Sequence, residues 1–296
     1  MDCCICKSTH IEIEFNLTAE QQILCCLNCG VEFLFPQLND DELKKLYSEN
    51  YYKAWGIKGE EENEATKQMK ISTFRLRLNL IKKYITKGKI LDVGCATGYF
   101  LEAAQENGFE SYGVEFSEYS SSIAKKKFGD NNVFFGTLEQ CNFEDKSFDV
   151  ITMSDLIEHV RTPAQTLSKA AALLKDDGVI MIMTPDTKTL SNNVMGKRWT
   201  HYKQEHFFYF DHSSISYVAN LCGLNVVHYE RSKKALNIHY LHTQFNVYKH
   251  WLFTPLINTL NFFLSKKLAA KNFYFSIGEM VVILKKQTAN ASNVLK

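Results

Sequence analysis

Proline and unbalanced charge are both scarce in this chain of 296 residues. Only four prolines are present and no segment is of low complexity, so long linkers between domains are not expected. The formal net charge is +1, from 34 Lys+Arg against 33 Asp+Glu. Domains that bind nucleic acid usually carry a strong basic excess, so we expect no nucleic-acid partner.

Signals for export and for membrane insertion are missing as well. The first residues lack the basic segment followed by an apolar segment that marks a secretory signal. The longest apolar candidate, residues 251–265, is interrupted by Pro255, Asn258 and Asn261 and does not reach the length of a membrane span. The expected location of the protein is therefore the cytoplasm.

The glycine-rich turn at residues 94–98 lacks what phosphate-binding loops require. Its glycines, Gly94 and Gly98, follow Asp92 in the pattern Asp-x-Gly-x-x-x-Gly. A dinucleotide-binding loop has Gly-x-Gly-x-x-Gly, and a Walker loop has Gly-Lys followed by Ser or Thr. The turn has neither pattern. It therefore either brings the backbone close to a ligand of another kind or packs a helix against a strand.

Two acidic residues stand where strands of an open α/β sheet bind ligands. Asp92 lies at the end of an apolar strand predicted at 89–93, and Glu115 follows an apolar strand predicted at 111–114. In such sheets the ligand lies beyond the carboxyl ends of the strands. A carboxylate at the second position can accept hydrogen bonds from both hydroxyls of a ribose. The two carboxylates together favour the ligand-binding interpretation of the turn.

Apolar strands alternate with helical segments through most of the chain. An amphipathic helix is predicted at 66–84, before the first of these strands. The strands are predicted at 89–93, 111–114, 132–136, 148–153, 179–184, 224–230 and 279–285. Such alternation is typical of an α/β fold with a parallel sheet and right-handed crossovers. We therefore predict a Rossmann-like fold with a seven-stranded, mostly parallel sheet.

Six of the nine cysteines lie in the first thirty residues. Four of them form two Cys-x-x-Cys pairs, which are Cys3/Cys6 and Cys26/Cys29. Four thiolates suit a structural, tetrahedral zinc ion, and the segments 11–17 and 22–24 are suited to the hairpin of a zinc ribbon. Cys4 and Cys25 are surplus, so a ligand set that includes Cys25 stays open. Free thiols or a redox pair are the alternatives to zinc.

The segment 90–100, Ile-Leu-Asp-Val-Gly-Cys-Ala-Thr-Gly-Tyr-Phe, resembles motif I of class I S-adenosylmethionine-dependent methyltransferases. Residues 148–160 look like the fourth strand and following helix of these enzymes, and residues 174–186 look like their fifth strand. The resemblance covers residues 66–286. The cysteine pairs and the aromatic segment 46–52 also resemble a subgroup that has an N-terminal zinc-binding module and includes methyltransferases of sugars and sugar nucleotides.

This resemblance implies S-adenosylmethionine as the cofactor and assigns residues to it. The turn residues Asp92, Gly94, Cys95 and Gly98 would surround its methionine part, and Glu115 would hold its ribose. The other assignments are Phe116 beside the adenine, Thr137 and Leu138 in the adenine loop, and Met153 and Ser154 beside the sulfonium. The acidic residue usual in the adenine loop is not clear in this sequence, where Thr137 or Glu139 would have to replace it.

The expected organisation has an N-terminal module and a larger catalytic domain. Residues 1–48 are expected to form the zinc-ribbon module and a connector, and residues 49–296 the methyltransferase domain. A helical insertion is expected at about 239–271, before the last strand, since apolar residues recur there at helical spacing. Its apolar face would cover a core or form a homodimer contact. Adjoining lysines make contact with a membrane surface the alternative.

Three residues are candidates for handling the acceptor's proton. His206, supported by Glu205, follows the predicted fifth strand, where loops of this fold often line the acceptor pocket. His159 follows the fourth strand and is the competing candidate. Histidine suits a general base near neutral pH. Either histidine could instead hold neighbouring loops together. Tyr51, Tyr52 and Trp55 could line a pocket or pack the N-terminal module.

The function predicted from these patterns is methyl transfer to a small molecule, a sugar or sugar nucleotide by resemblance. One alternative is a methyltransferase of RNA or protein that binds its substrate through the zinc module. Another is a methyltransferase of a lipid-linked substrate that contacts a membrane through residues 239–271. A third is a binding module that retains the fold without catalysis.

Overall fold

The chain forms two compact units in the computed structural model, which describes residues 1–39, 41–43, 64–247, 249, 253–276 and 278–287. The larger unit contains Met1–Leu38, Leu78–Ser232 and Gly278–Lys296, and the smaller contains Asn39–Arg77 and Lys233–Ile277. The sequence led us to expect a boundary after residue 48. The ribbon lies in the larger unit together with the sheet, and one of its strands pairs with residues 208–209. The aromatic residues of segment 46–55 lie outside the described residues.

A seven-stranded sheet forms the core of the larger unit. Its strands are β4 (Gly88–Val93), β5 (Phe109–Glu115), β6 (Val133–Phe135), β7 (Phe148–Ser154), β8 (Leu174–Pro185), β10 (Leu224–Arg231) and β13 (Glu279–Lys286). They are ordered β10-β13-β8-β7-β4-β5-β6. Five neighbouring strands, from β8 to β6, are parallel, whereas β13 runs antiparallel to both of its neighbours. The sheet is therefore mixed, and its last strand is antiparallel as the resemblance implied.

Strand order explains where the glycine-rich turn lies. The chain passes from β4 to β5 on one side of β4 and later returns to β7 on the other side. The loops that follow β4 and β7 therefore diverge and leave a crevice at the carboxyl ends of the strands. The interior strands contain fully buried apolar runs, such as Val179 to Met183 of β8. Such strands require helices on both faces of the sheet.

Helices connect most of these strands. They are α1 (Glu64–Ile81), α2 (Tyr99–Glu106), α3 (Glu118–Phe128), α4 (Pro163–Leu173), α5 (Leu190–Met195) and α6 (His212–Leu221). The helix α3 begins with Ser117 as its N-cap, whose hydroxyl accepts a hydrogen bond from the N–H of Ser120. The helix α6 begins in the same way, with Asp211 as its N-cap, whose carboxylate accepts a hydrogen bond from the N–H of Ser214. Local sequence therefore fixes where these helices begin.

The N-terminal ribbon is a four-stranded antiparallel sheet. Its strands are β1 (Ile11–Asn16), β2 (Gln22–Cys26), β3 (Glu32–Phe35) and β9 (Phe208–Tyr209), in that order. The hairpin of β1 and β2 lies at the two segments that the sequence indicated. The strands β3 and β9 were not predicted, since two residues of β9 give no recognisable pattern.

The smaller unit contains most of the predicted insertion. It has a two-stranded sheet of β11 (Lys234–Leu236) and β12 (Phe273–Phe275), and the helices α7 (Ile238–Val247), α8 (Phe253–Phe263) and α9 (Lys266–Ala269). Phe262 and Phe263 on α8 are largely exposed. Two residues of the predicted apolar face, Tyr248 and Leu252, lie outside the described residues. Among the helices that the structure describes, none has the length and hydropathy needed to cross a bilayer.

Gly98 and Gly108 lie at opposite ends of α2 and share a left-handed backbone, with φ of 88° and 85°. A Cβ atom at Gly98 would lie 2.3 Å from Cε2 of Phe128, at the end of α3. A Cβ atom at Gly108 would have no neighbour within 4 Å. Part of the glycine pattern in the turn therefore serves the packing of two helices.

We predict that Gly108→Ala lowers the free energy of unfolding by about 1–2 kcal/mol, the cost of a left-handed backbone for an L-residue. Gly98→Ala should cost about 1–3 kcal/mol more, because its methyl group also displaces Phe128. Urea unfolding followed by circular dichroism measures both values. Equal losses in the two variants would contradict the packing role of Gly98.

Candidate active site

Glu115 ends β5 and ties together two loops at the edge of the sheet. Its Oε2 accepts a hydrogen bond of 2.8 Å from the N–H of Ala96, in the glycine-rich turn. Its Oε1 accepts one of 2.7 Å from the N–H of Ser117, in the next loop. Burial raises the pKa of Glu115, and these N–H donors oppose the increase. Each carboxylate oxygen has two lone pairs, so both can still accept a hydrogen bond from a ligand hydroxyl.

Asp92 is buried beneath the glycine-rich turn and joins β4 to β7. Its Oδ1 accepts a hydrogen bond of 2.6 Å from the hydroxyl of Thr152 on β7. The bond connects the two strands whose following loops form the crevice. The role of Thr152 was not predicted, because a single threonine in an apolar strand is common and needs no partner outside the strand.

The glycine-rich turn depends on left-handed residues and close neighbours. Gly94 has a φ of 79° and Ala96 has a φ of 47°. A Cβ atom at Gly94 would lie 3.1 Å from Cδ1 of Leu156. The side chain of Cys95 is buried in the core, where its Sγ would lie 2.5 Å from a Cβ atom at Gly113. Because this side chain is buried in the core, only the main chain of Cys95 is available to a ligand at the turn.

The residues expected beside the adenine occupy the two neighbouring loops. Phe116, directly after Glu115, is 67% exposed. The N–H of Thr137 donates a hydrogen bond of 2.9 Å to Oε1 of Gln140, which stabilises a short 3-10 turn. The side chain of Leu138 is buried in that turn. The carboxylate of Glu139 accepts a hydrogen bond of 2.6 Å from Thr166 on α4.

Met153 and Ser154 lie beside the start of the glycine-rich turn. Strand register pairs Met153 with Val93, the residue before Gly94. Met153 is fully buried, and Ser154 is partly exposed as the last residue of β7. The end of β7 and the turn are therefore adjacent in space, as the fold implied.

His159 and His206 come from distant segments and meet at the same edge. Their ring centroids are 4.6 Å apart, in an edge-to-face arrangement. Nδ1 of His159 lies 2.9 Å from the main-chain carbonyl oxygen of Glu205, so this nitrogen carries the hydrogen. Glu205 thus contacts His159 through its main chain. The two histidines that the sequence offered as alternatives belong to one cluster.

Glu158 directly precedes His159 and is the buried carboxylate of this cluster. Its Oε2 accepts a hydrogen bond of 2.9 Å from the hydroxyl of Thr184 on β8. Burial, together with the charge of Asp155, raises the pKa of Glu158 to about 8. Burial lowers the pKa of His159 to about 4. Candidate ligand atoms of Glu158, His159 and His206 lie within 4.8 Å of one another, so the cluster could also hold a metal ion.

Asp186 is a further acidic residue at this edge that the sequence analysis missed. It follows β8 directly and is buried. Its Oδ2 accepts a hydrogen bond of 2.7 Å from the hydroxyl of Tyr229, and its Oδ1 accepts one of 2.9 Å from the N–H of Lys188. Its position after a buried strand was the available signal, as for Glu115.

Four thiols converge in the N-terminal ribbon. Sγ of Cys3 is 3.7 Å from Sγ of Cys29, and Sγ of Cys6 is 3.4 Å from Sγ of Cys26. All four sulfur atoms lie within 4.8 Å of one another. Zn–S bonds of about 2.3 Å in a tetrahedron place the sulfur atoms about 3.8 Å apart. The donor set therefore fits a zinc ion.

Both cysteine pairs are built as the same tight turn. The residue after each pair is left-handed, with φ of 60° at Lys7 and 71° at Gly30. The N–H of Lys7 donates to the carbonyl oxygen of Cys3 at 2.9 Å, and that of Gly30 to Cys26 at 2.8 Å. The repetition supports a pair of knuckles. The surplus cysteines, Cys4 and Cys25, lie outside the group of four thiols.

These features define a Rossmann-like protein with a candidate ligand site where the strand order reverses. A family model described as a methyltransferase domain matches residues 65–229, more than half of the 296 residues. The chain belongs to this methyltransferase family.

Similarity to individual proteins agrees with this assignment. A Coxiella burnetii ubiquinone biosynthesis O-methyltransferase is 34% identical over 115 residues, which is 37% of this chain and 49% of that protein. The chain thus matches about half the length of this curated relative. A methyltransferase of Haloferax volcanii, solved with the Trm112 methyltransferase activator, is 16% identical with a TM-score of 0.55, covering 80% of this chain and 98% of that one. A Pyrococcus horikoshii protein is 18% identical with a TM-score of 0.53, covering 81% and 99%. These two structures show a shared fold.

We predict that Thr152→Val lowers the free energy of unfolding by about 1.5–3 kcal/mol, because the buried carboxylate of Asp92 loses a hydrogen-bond donor. Thr166→Val is the matched control. The Thr166 hydroxyl also donates to a carboxylate at 2.6 Å, but Glu139 is exposed and can turn to water. The control should therefore lose less than about 1 kcal/mol. Chemical denaturation distinguishes the two, and equal losses would contradict the role given to Thr152.

Proposed function

We propose that this protein transfers a methyl group from S-adenosylmethionine to a small molecule. The observation that carries the proposal is the Glu115 carboxylate, which holds the glycine-rich turn at the sheet edge in a chain of the methyltransferase family. When bound, the cofactor supplies an electrophilic methyl group. The protein then has to hold the acceptor in line with that group and to remove the acceptor's proton.

The proposed cofactor contacts follow the carboxyl edge of the sheet. Glu115 would accept hydrogen bonds from the ribose hydroxyls, and the exposed ring of Phe116 would flank the adenine. The main chain of Gly94, Cys95 and Gly98 would surround the methionine part, with Asp92 supporting the turn from below. The remaining contacts would come from Thr137 and Leu138 in the adenine loop and from Met153 and Ser154 beside the sulfonium.

Glu115→Ala should weaken the binding of S-adenosylhomocysteine. Each lost hydrogen bond to a charged acceptor is worth about 1.5–3 kcal/mol, so the Kd should rise at least roughly tenfold. Glu110→Ala is a control at the opposite, exposed end of the same strand and should leave the Kd unchanged. Isothermal titration calorimetry measures both. An unchanged Kd for Glu115→Ala would remove the ribose assignment.

We propose a sugar or a sugar nucleotide as the acceptor. The support is the N-terminal cysteine module, which resembles that of a subgroup of sugar methyltransferases and whose thiols fit zinc. The name of the Coxiella burnetii relative favours a second candidate, O-methylation of a ubiquinone precursor. Release of S-adenosylhomocysteine with a panel of sugar nucleotides and a panel of hydroxylated aromatic rings separates the two. Turnover with aromatic rings alone would overturn the sugar proposal.

The histidine cluster is proposed to remove the acceptor's proton. His206 would act as the base, with His159 beside it and with Glu205 fixing His159 through its carbonyl oxygen. The ring contact between the two histidines supports a shared role, because one pocket would present both rings. Burial lowers the pKa of His159 to about 4, so its ring stays neutral near pH 7 but is a weaker base than an ordinary histidine, which favours His206 as the base.

His206→Ala should lower the turnover rate by roughly 10²–10⁴, as expected for loss of a general base. Cofactor affinity should stay the same, because the proposed cofactor contacts follow other strands. Steady-state kinetics and calorimetry provide the two values, with His159→Ala measured in parallel. Normal turnover in the His206 variant and none in the His159 variant would assign the base to His159.

The ribbon is proposed to hold one structural zinc ion through Cys3, Cys6, Cys26 and Cys29. A set of four thiolates leaves no coordination position for a substrate, so the ion would stabilise the fold. Cys26→Ser should lose the zinc, whereas Cys25→Ser should keep about one zinc per chain. Elemental analysis of the purified proteins measures this, and a zinc-free wild type that is fully folded would overturn the proposal.

A further inference from the structure

The segment 201–210, here called the histidine strap, completes the sheet of the ribbon. Its strand β9 pairs antiparallel with β3, where Glu32 lies opposite Tyr209 and Phe33 opposite Phe208. The edge of β3 is therefore occupied by the strap. The ribbon and the strap therefore form one sheet from two segments that are far apart in sequence.

Phe207 connects this sheet to the candidate active site. Its carbonyl oxygen accepts a hydrogen bond of 2.9 Å from the N–H of Leu34 in the ribbon. Its own N–H donates one of 2.7 Å to the carbonyl oxygen of Glu158. His206 is the preceding residue. Its place beside His159 is thus set by a main chain that is bonded to the ribbon on one side and to the loop after β7 on the other.

Two side chains of the strap reach back to the ribbon. The hydroxyl of Tyr202 donates a hydrogen bond of 3.0 Å to Oε2 of Glu32 on β3. The side-chain amide of Gln204 donates a hydrogen bond of 2.7 Å to Oε1 of Gln21. The side-chain amide of Gln21 in turn donates a hydrogen bond of 3.1 Å to the carbonyl oxygen of Pro36. Burial raises the pKa of Glu32, and the Tyr202 hydroxyl opposes this shift.

Internal contacts keep the strap compact between these attachments. The hydroxyl of Tyr209 donates a hydrogen bond of 2.9 Å to the carbonyl oxygen of Lys203 and accepts one of 3.2 Å from its N–H. The ring of Tyr202 lies 4.8 Å from that of Phe15 on β1, edge to face. A displacement of the ribbon would therefore be transmitted along the strap to His206.

We propose that the zinc-binding ribbon positions His206 at the active site, with Tyr202 and Gln204 as positioning residues. A module of this size buries too little apolar surface to be stable alone, so its order should depend on the four thiols and their metal. Loss of the metal then releases the strap. The part of this inference that concerns turnover rests on the proposed methyltransferase function, whereas the part that concerns strap order does not.

The first test measures order directly by hydrogen–deuterium exchange of the full-length protein. In Cys26→Ser, exchange in peptides covering 201–210 should become at least about tenfold faster, while peptides covering β7 stay protected. Cys25→Ser, whose thiol lies outside the group of four, should behave as the wild type. Unchanged exchange of the strap in a zinc-free Cys26→Ser protein would overturn the proposal.

The second test separates positioning from stability by means of matched tyrosine variants. Tyr202→Phe removes the hydrogen bonds that its hydroxyl makes to Glu32 and Asn192, and Tyr112→Phe removes an exposed tyrosine–glutamate hydrogen bond, to Glu110, away from the site. Tyr202→Phe should lower kcat about tenfold to a hundredfold with the Kd for S-adenosylhomocysteine within twofold of wild type. Tyr112→Phe should leave kcat unchanged. Equal kcat values in the two variants would overturn the role of Tyr202.

Substitution of the partner residue supplies a further control. Glu32→Gln retains an oxygen that accepts the Tyr202 hydrogen bond, so its kcat should equal that of the wild type. Glu32→Leu removes the acceptor, so its kcat should fall as far as that of Tyr202→Phe. The double variant Tyr202→Phe/Glu32→Leu should then have a kcat no lower than that of either single variant. If the wild type methylates none of the panel acceptors, the proposed function fails, but the exchange experiment still decides whether the ribbon orders the strap.

Discussion

The Glu115 carboxylate is the constraint on which the candidate cofactor site depends. Its two oxygens are hydrogen-bonded to Ala96 and Ser117, so one side chain fixes the glycine-rich turn and the loop after β5 relative to each other. The Thr152 hydroxyl bound to Asp92 then fixes the same turn to β7. These bonds lie where the strand order reverses, the position at which open α/β sheets bind ligands. These loops therefore hold the Glu115 carboxylate at the position proposed for the ribose of the cofactor.

A second constraint sets the opposite side of the site. The histidine cluster is built from segments more than forty residues apart, the turn after β7 and the histidine strap. Backbone pairing of β3 with β9 joins that strap to the cysteine ribbon. The ribbon is therefore a structural support of the proposed acceptor side. The proposed cofactor side follows the carboxyl ends of the parallel strands, and the two sides of the site meet at the loop after β7.

Sequence pattern was sufficient where the signal is local and periodic. All seven strands of the sheet were predicted within a few residues, because buried strands are continuous apolar runs bounded by turns. The four converging thiols were predicted from their spacing. Contacts that join distant segments through one or two residues were not predicted. They are the pairing of β9 with β3, the hydrogen bond from Thr184 to Glu158, and the contact between the rings of His159 and His206. Assignment of the ribbon to the larger unit depends on that same pairing.

A crystal structure of the protein grown with S-adenosylhomocysteine tests the proposed cofactor site most directly. We expect the ribose hydroxyls to lie within hydrogen-bond distance of Glu115, the adenine to lie against Phe116, and the sulfur atom to lie beside the end of β7. His206 should then face the sulfur atom. A nucleoside bound away from the Glu115 carboxylate, or crystals without the ligand at saturating concentration, would contradict the central claim.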